Sequence, residues 1–220
     1  MTCPRPYPDG VTTVLYHGRC SDGSAARWVA EQELGSQATY AAAFYGPGSQ
    51  PIDVTGQHVL VLDFNPSRQW ILDAQERTAS LLILDHHHSS IETIGDLTDS
   101  VVLDMDRSGC AMAWDFFHPG TVRPRVLDFV MWRDLHRWPD NVSKERSLDF
   151  LAWFDTQKYS VTLYDRFLLE GPVMEECCRL GHISREDDRQ TIESVASHAV
   201  DITVAGMPAM IVEFSGRLKS

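Results

Sequence analysis

The sequence of 220 residues contains no long hydrophobic run. Its longest unbroken apolar stretch, residues 40–45, is far shorter than the about 18 residues that a membrane span needs. The first residues, 1–8, contain three prolines and no apolar signal core. We therefore expect a cytoplasmic protein that has no membrane partner.

Cysteine is scarce and irregularly placed. The chain has five cysteines, two of them adjacent at Cys177 and Cys178, and no Cys-x-x-Cys pair. An odd number without that spacing excludes a disulfide framework and a zinc finger of the usual type. A reducing compartment fits this usage best.

Basic residues are few. The 19 lysines and arginines are outnumbered by 31 acidic residues, which gives a net charge of −12. A surface with this balance repels the phosphates of nucleic acid, so we expect no long duplex as a partner. Carboxylates that hold metal ions would contribute to the same acidic count.

The first half of the chain alternates apolar strands with helical segments. The strands are predicted at 11–16, 38–44, 58–63, 80–85 and 101–105. Helical periodicity covers 22–34, and Pro66 is placed to open a helix that runs to residue 77. Strands that alternate with helices and are apolar on both faces favour an α/β fold, with a parallel sheet of about five strands covered by helices.

The second half is predominantly helical. Helices are predicted at 108–117, 123–135, 143–156 and 175–199, followed by short strands at 201–204 and 209–214. We divide the chain at a soft boundary into a first domain, 1–156, and a helical extension with a hairpin, 157–220. The hairpin strands offer a surface for a homodimer.

Residues that bind metal ions follow four of the predicted strands. His17 follows the first strand, Asp63 the third, and Asp85-His86-His87 the fourth, while Asp104 and Asp106 follow the fifth. Ligands of parallel α/β sheets bind at the carboxyl ends of the strands. Clustered carboxylates repel one another unless a cation lies between them. Oxygen ligands mixed with histidine suit manganese, magnesium or iron better than a closed zinc site.

Each of these residues also has an ordinary structural interpretation. Asp63 is compatible with a turn, and Asp22 with a cap on its own helix. Cys20 is compatible with a small buried filler, and Asp106 and Arg107 with a solvated ion pair. The functional hypothesis depends on the coincidence of several such residues at one edge of the sheet.

Five segments, in order, resemble motifs of the DHH phosphoesterases. Asp85-His86-His87 is similar to the signature triplet of that family. The other segments are Tyr16-His17-Gly18-Arg19-Cys20-Ser21-Asp22-Gly23, Val61-Leu62-Asp63-Phe64, Asp104-Met105-Asp106-Arg107-Ser108-Gly109 with Ala113-Trp114, and Arg133-Asp134-Leu135-His136-Arg137-Trp138. In the last segment a histidine replaces the first tryptophan of the family pattern. The resemblance covers about residues 10 to 155.

The resemblance implies a site for two divalent ions, usually manganese. The implied metal ligands are His17, Asp22, Asp63, His86 and Asp134, with Asp63 bridging the ions. His87, Arg107 and the Ser108-Gly109 backbone would meet the substrate phosphate. Asp85 would orient neighbouring groups, and we count it with His87 and Arg107 as the catalytic residues.

Two features depart from the family pattern. The first motif usually has Asp-x-Asp-Gly, whereas this chain has Cys20-Ser21-Asp22-Gly23. One metal position would therefore have a thiol or no ligand from this slot. The glycine-rich, histidine-containing motif of the second domain in the family is also absent, so residues 157–220 contain at most a remnant of that domain.

The resulting hypothesis is a manganese-dependent phosphoesterase that acts on a small nucleotide phosphodiester, such as a short oligonucleotide or a cyclic dinucleotide. Two alternatives stay open. One is hydrolysis of a phosphoanhydride, as in pyrophosphate or polyphosphate. The other is a protein that captures a nucleotide through metal without hydrolysing it, which the cysteine at position 20 would allow.

Overall fold

A computed structural model describes residues 12–46, 52–157, 160–168 and 171–212. Its centre is a sheet of five parallel strands in the order β2-β1-β3-β4-β5, which confirms the predicted fold class. The strands are β1 (Thr12–His17), β2 (Ala38–Ala43), β3 (His58–Leu62), β4 (Ser80–Asp85) and β5 (Val101–Leu103). Predicted strand positions 11, 213 and 214 lie outside the described residues.

The strand order places β1 inside the sheet. Leu15 of β1 pairs with Ala41 of β2 on one side and with Val61 of β3 on the other. The chain therefore proceeds outward from β1 to β2 and then returns to the other side of β1. This reversal creates a crevice at the carboxyl ends of β1 and β3, the usual position of a ligand site in open α/β sheets.

Two separate apolar cores cover the two faces of the sheet. The helices of the first half are α1 (Ser21–Leu34), α2 (Arg68–Arg77), α3 (His88–Ile94) and α4 (Gly109–Phe117). Leu60 and Leu62 face the larger core with α1 and α4, whereas Val59 and Val61 face the smaller core with α2 and α3. Burial on both faces explains the continuous apolar sequence of β3.

The helix starts differ from the predictions by one to three residues. The hydroxyl of Ser67 accepts a hydrogen bond from the amide of Trp70, so α2 begins at Arg68 rather than at Pro66. Ser108 is the N-cap of α4. Helix α3 was not predicted, because seven residues are too few to establish a helical period.

The helices of the second half pack onto the larger core, and an exposed antiparallel pair of strands follows them. This half contains α5 (Arg125–Asp134), α6 (Asn141–Asp155), α7 (Val161–Tyr164) and α8 (Pro172–Ala196), followed by the antiparallel pair, β6 (Val200–Val204) and β7 (Met207–Ile211). Cys177 of α8 is buried in this core. No helix of the described ranges is long and apolar enough to cross a membrane.

Candidate metal and phosphate site

The carboxyl edge of the sheet brings together the five predicted metal ligands. His17 is the last residue of β1, Asp63 follows β3, and His86 follows β4. Asp22 is the second residue of α1, and Asp134 is the last residue of α5. Elements that are far apart in sequence thus converge on the crevice between β1 and β3.

Asp63 lies at the centre of this cluster. Its side chain is only 1% exposed. One carboxylate oxygen, Oδ1, is 3.1 Å from Nε2 of His86, and the other, Oδ2, is 3.4 Å from Nδ1 of His17. The backbone of Asp63 has a φ of 56°, a left-handed conformation that strains most non-glycine residues. This conformation turns the chain sharply at the end of β3 and leaves the carboxylate between two histidines.

His86 connects Asp63 with the other two carboxylates. Its Nε2 lies 3.5 Å from Oδ2 of Asp22 and 3.3 Å from Oδ2 of Asp134. Ligand atoms of Asp22, His86 and Asp134 all lie within 4.8 Å of one another, a spacing that could hold a metal ion. Ligand atoms of Asp63, His86 and His87 meet the same criterion.

A further group lies on the other side of Asp63. Ligand atoms of His17, Cys20 and Asp63 also lie within 4.8 Å of one another. Nδ1 of His17 and Oδ2 of Asp63 are buried, and apart from their 3.4 Å contact with each other neither has a hydrogen-bond partner. Buried polar atoms normally have good partners, so this loosely paired nitrogen and oxygen fit a position for a cation.

The electrostatics of the cluster also fit a cation. Burial, followed by repulsion from Asp63 and Asp134, raises the pKa of Asp22 to about 8. Burial likewise raises the pKa of Asp134. Burial opposes the ionised form of Asp63 as well, but the ring nitrogens of His17 and His86 outweigh it and lower the pKa of that carboxyl to about 2. A divalent cation would stabilise all three carboxylates in their ionised form.

The start of α4 holds Asp22 in place. Oδ1 of Asp22 accepts hydrogen bonds from the Ser108 hydroxyl, at 2.7 Å, and from the Cys110 amide, at 3.0 Å. Oδ2 accepts from the Gly109 amide at 2.6 Å. The alternative that Asp22 caps its own helix is wrong, because Cys20 is the N-cap of α1 and Asp22 instead accepts hydrogen bonds from the first amides of α4. The positive end of α4 attracts this carboxylate.

These contacts give Ser108 and Gly109 a partner other than the phosphate expected from the resemblance. Gly109 packs so closely that a Cβ there would lie 2.4 Å from the Cβ of Asp63 and 2.9 Å from Oδ2 of Asp22. Only a glycine allows the start of α4 to approach both carboxylates. The Ser108 hydroxyl and the Gly109 amide thus donate to Asp22 in the structure, and their contact with a substrate phosphate stays a prediction.

Asp85 and His87 form a pair beside the cluster. Nδ1 of His87 is 2.7 Å from Oδ1 of Asp85. The Asp85 side chain is completely buried, and its Oδ2 accepts a hydrogen bond from the Ser90 hydroxyl. The hydrogen bond to Asp85 raises the pKa of His87. The His87 side chain is 32% exposed, so its Nε2 edge is the part available to a ligand.

Aromatic side chains that the sequence did not predict as part of the site lie next to these histidines. The ring centroid of Tyr45 lies 5.1 Å from that of His17, 6.0 Å from that of His87 and 4.7 Å from that of Phe64. Tyr45 follows β2 at the same edge of the sheet, a position that could have revealed it. In the sequence, Tyr45 is the last residue of the apolar run 40–45.

Arg107 lies near the cluster but is held by other carboxylates. Its Nε donates to Asp104 at 2.7 Å, and Nη1 donates to Asp115 at 3.0 Å. Nη2 has no carboxylate partner among the described residues. The alternative of an ion pair between Asp106 and Arg107 is wrong, because Asp106 pairs with Arg137.

Sequence comparison finds a distant relative of the chain but no family. No family model matches the chain. An uncharacterized protein of Acanthamoeba polyphaga mimivirus is 24% identical over 177 residues, which are 74% of this chain and 41% of that protein. The chain thus spans about two fifths of the curated relative that it matches.

Two solved structures are similar. An uncharacterized protein from Helicobacter pylori G27 has a TM-score of 0.52 at 16% identity, with 86% of this chain and 71% of that chain covered. RecJ from Thermus thermophilus, solved in complex with Mn²⁺, has a TM-score of 0.41 at 8% identity, over 86% of this chain and 38% of that chain. The likeness to RecJ is too low to assign a function. The Helicobacter pylori structure supports the fold alone.

Proposed function

We propose that the protein is a metal-dependent phosphoesterase with a centre for two divalent cations. The observation that carries this proposal is the position of Asp63, whose two oxygens belong to two overlapping groups of potential ligands. A carboxylate with a ligand group on each side is suited to bridge two ions. The motifs that resemble the DHH phosphoesterases supply the reaction class.

Each side of Asp63 would hold one cation. His17, Cys20 and Asp63 would form the first position. Asp22, His86 and Asp134 would form the second, and Oδ1 of Asp63, which lies 3.1 Å from Nε2 of His86, would be shared with it. When bound, divalent cations lower the pKa of water and offset negative charge on phosphoryl oxygens. Burial of Asp63 and Asp22 excludes solvent from the ligands and strengthens their interaction with a cation.

His87 and Arg107 would contact the substrate phosphate. The buried Asp85 fixes the His87 ring by its Nδ1 and favours the protonated form, so the exposed Nε2 edge can donate a hydrogen bond to a phosphoryl oxygen. Arg107 is oriented by Asp104 and Asp115 and retains Nη2 for the same purpose. Asp85 acts only through His87 and is a positioning residue.

The substrate that we propose is a small nucleotide phosphodiester, with manganese as the preferred ion. A net charge of −12 disfavours binding along a long polymer. A phosphoanhydride such as pyrophosphate presents the same phosphoryl oxygens to His87 and Arg107. A non-hydrolysing nucleotide-binding protein is the second candidate, favoured by the cysteine at position 20, whose pKa is raised to about 12 by burial and by Asp63.

The test measures binding and turnover separately. Metal-free protein is titrated with Mn²⁺ and then assayed with a chromogenic phosphodiester, a dinucleotide and pyrophosphate, with and without chelator. The Asp63→Asn variant should lose manganese binding and turnover together, because the bridging charge is lost. Asp99→Asn, on an exposed residue, is the matched control and should behave like the parent protein.

Three outcomes discriminate among the functions. Turnover of a diester that chelator abolishes supports the proposal, whereas turnover of pyrophosphate alone supports the anhydride alternative. Manganese-dependent nucleotide binding without hydrolysis of any substrate would overturn the enzyme proposal in favour of the binding protein. Unchanged manganese affinity in Asp63→Asn would refute the bridging role.

A further inference from the structure

We propose that the two cation positions are chemically unlike and select different metals. The position formed by His17, Cys20 and Asp63, called here the thiolate position, would prefer zinc to manganese. The position formed by Asp22, His86 and Asp134, called here the carboxylate position, would take manganese. The inference rests on the proposed two-cation centre and concerns which ions occupy it.

The geometry around Cys20 has the features of a ligand site. Its Sγ, a nitrogen of His17 and an oxygen of Asp63 lie within 4.8 Å of one another. Independently of the thiol, the other two side chains present loosely paired atoms, because Nδ1 of His17 and Oδ2 of Asp63 are buried and, apart from their 3.4 Å contact with each other, have no hydrogen-bond partner. Asp63 is 1% exposed, so water satisfies its carboxylate poorly.

The thiol of Cys20 is at most a weak cap for α1. Cys20 is the N-cap residue of α1, with extended backbone angles, and its side chain makes no capping hydrogen bond of normal geometry, although the amides of Gly23 and Asp22 lie near the sulfur. Ser, Thr, Asp and Asn are the residues that favour this position, and cysteine is not among them. Cys20 is a free cysteine and is half-buried. A metal ion between the three side chains would give this thiol a stronger partner.

The donor atoms of the two positions differ in softness. The thiolate position offers one sulfur, one imidazole nitrogen and one carboxylate oxygen, which is the type of three-ligand set that binds zinc and leaves an open coordination site. The carboxylate position offers two oxygen-donating residues and one imidazole, with no sulfur. Thiolates select zinc, whereas carboxylates suit manganese and magnesium. When zinc binds, the thiol proton goes to solvent and a sulfur–zinc bond forms.

Asp22 of the carboxylate position is held in place by the start of α4. Three donors fix its carboxylate, and they lie at 2.6, 2.7 and 3.0 Å from its oxygens. No sulfur atom of the described residues completes a ligand group with Asp22, His86 and Asp134. Nitrogen and oxygen ligands also bind zinc more tightly than manganese, but without sulfur this preference is weaker, and the mixed zinc–manganese centre depends on that difference between the two positions.

The experiment uses Co²⁺ as a spectroscopic probe on metal-free protein. Cobalt bound to a thiolate gives a near-ultraviolet charge-transfer absorption that cobalt bound to oxygen and nitrogen lacks. We expect this absorption in the parent protein and in Cys178→Ser, whose thiol lies in α8 away from the cluster. We expect it to be lost in Cys20→Ser.

Competition between Zn²⁺ and Mn²⁺ supplies the second readout. At the thiolate position, the ratio of zinc affinity to manganese affinity should fall at least about tenfold in Cys20→Asp. Even residues that only hydrogen-bond to a metal ligand change metal affinity by that factor. In the parent protein, zinc should protect Cys20 from alkylation, and manganese should not. This last measurement needs no variant, so it holds if a substitution prevents folding.

The results separate this inference from the proposed function. A cobalt–thiolate absorption that persists in Cys20→Ser, or its absence from the parent protein, would overturn the inference even if manganese-dependent hydrolysis is found. A cobalt–thiolate absorption that requires Cys20, without turnover of any phosphoester, would leave the mixed centre standing and remove the enzymatic proposal.

Discussion

Replacement of Gly109 by alanine tests whether the start of α4 sets the spacing of the carboxylates. The added Cβ would lie 2.4 Å from the Cβ and 2.9 Å from the Cγ of Asp63, and 2.9 Å from Oδ2 of Asp22. These separations are well inside van der Waals contact, so α4 and the two aspartates must move apart. Overpacking of this kind costs about 1–3 kcal/mol of unfolding free energy.

The same displacement should weaken metal binding. Asp63 is buried at the end of β3 and cannot rotate away without leaving His17 or His86. We expect the affinity for manganese to fall about ten- to hundredfold, as for other changes that misalign metal ligands. Titration of metal-free protein measures this affinity, and urea denaturation in chelator measures the stability.

Gly35→Ala is the matched control for this prediction. Gly35 ends α1 with a φ of 52° and has no atom within 4 Å of a Cβ built on it, so alanine would be strained without touching another group. Its backbone conformation, φ 52° and ψ −137°, is one that alanine rarely adopts, and the strain costs about 1–3 kcal/mol, similar to the loss expected at Gly109. Manganese affinity should be unchanged in Gly35→Ala. Equal manganese affinity in Gly109→Ala and the parent protein would refute the role of α4.

Four further predictions concern the same edge of the sheet. His86→Ala should lose bound metal and turnover, whereas His87→Ala should keep its metal and lose turnover; equal metal content and activity in both variants would contradict these roles. Activity should be higher with manganese than with magnesium and absent in excess chelator, because magnesium prefers oxygen ligands and retains its waters; full activity in chelator would exclude a metal mechanism. In chelator, the melting temperature should fall as pH rises from about 6.5 to 9. Burial lowers the pKa of His86 in the folded protein, but Asp63 and the other carboxylates outweigh burial and raise this pKa from 6.5 to about 9. The stability that protonation of His86 provides is therefore complete below pH 6.5 and is lost as the pH rises through 9. The raised pKa of Asp22 acts in the same direction, and a melting temperature that rises over this range would contradict both assignments. A dinucleotide should be cleaved faster than a strand of about thirty nucleotides at low salt, where any basic groove would be most effective; faster cleavage of the long strand would indicate a polymer channel.

The sequence predicted the α/β class because it depends on local patterns. The continuous apolar run of β3 required burial on both faces, and the alternation with helical periods required parallel strands. Boundaries were less certain, as the start of α2 illustrates. The sequence predicted Pro66 as the first residue, whereas the hydrogen bond from the Trp70 amide to the Ser67 hydroxyl sets the start two residues later, at Arg68.

The sequence did not predict the partners of Asp22. This carboxylate accepts hydrogen bonds from the start of α4 rather than from its own helix, across a separation of 87 residues to Gly109. Such a contact depends on how helices pack against the sheet, and local residue preferences carry no information about that packing. The partners of Arg107 differ, because Asp104 and Asp115 lie only three and eight residues away along the chain.

The sequence by itself determined which side chains follow each strand, and hence that histidines and aspartates would gather at the carboxyl edge. The tertiary structure decided which of them meet. The order β2-β1-β3-β4-β5 makes β1 and β3 neighbours. Asp63 therefore lies between His17 and His86, and not only next to Tyr45. Strand order results from packing and pairing between distant segments, and this is the physical reason that the shared carboxylate emerged only from the folded chain.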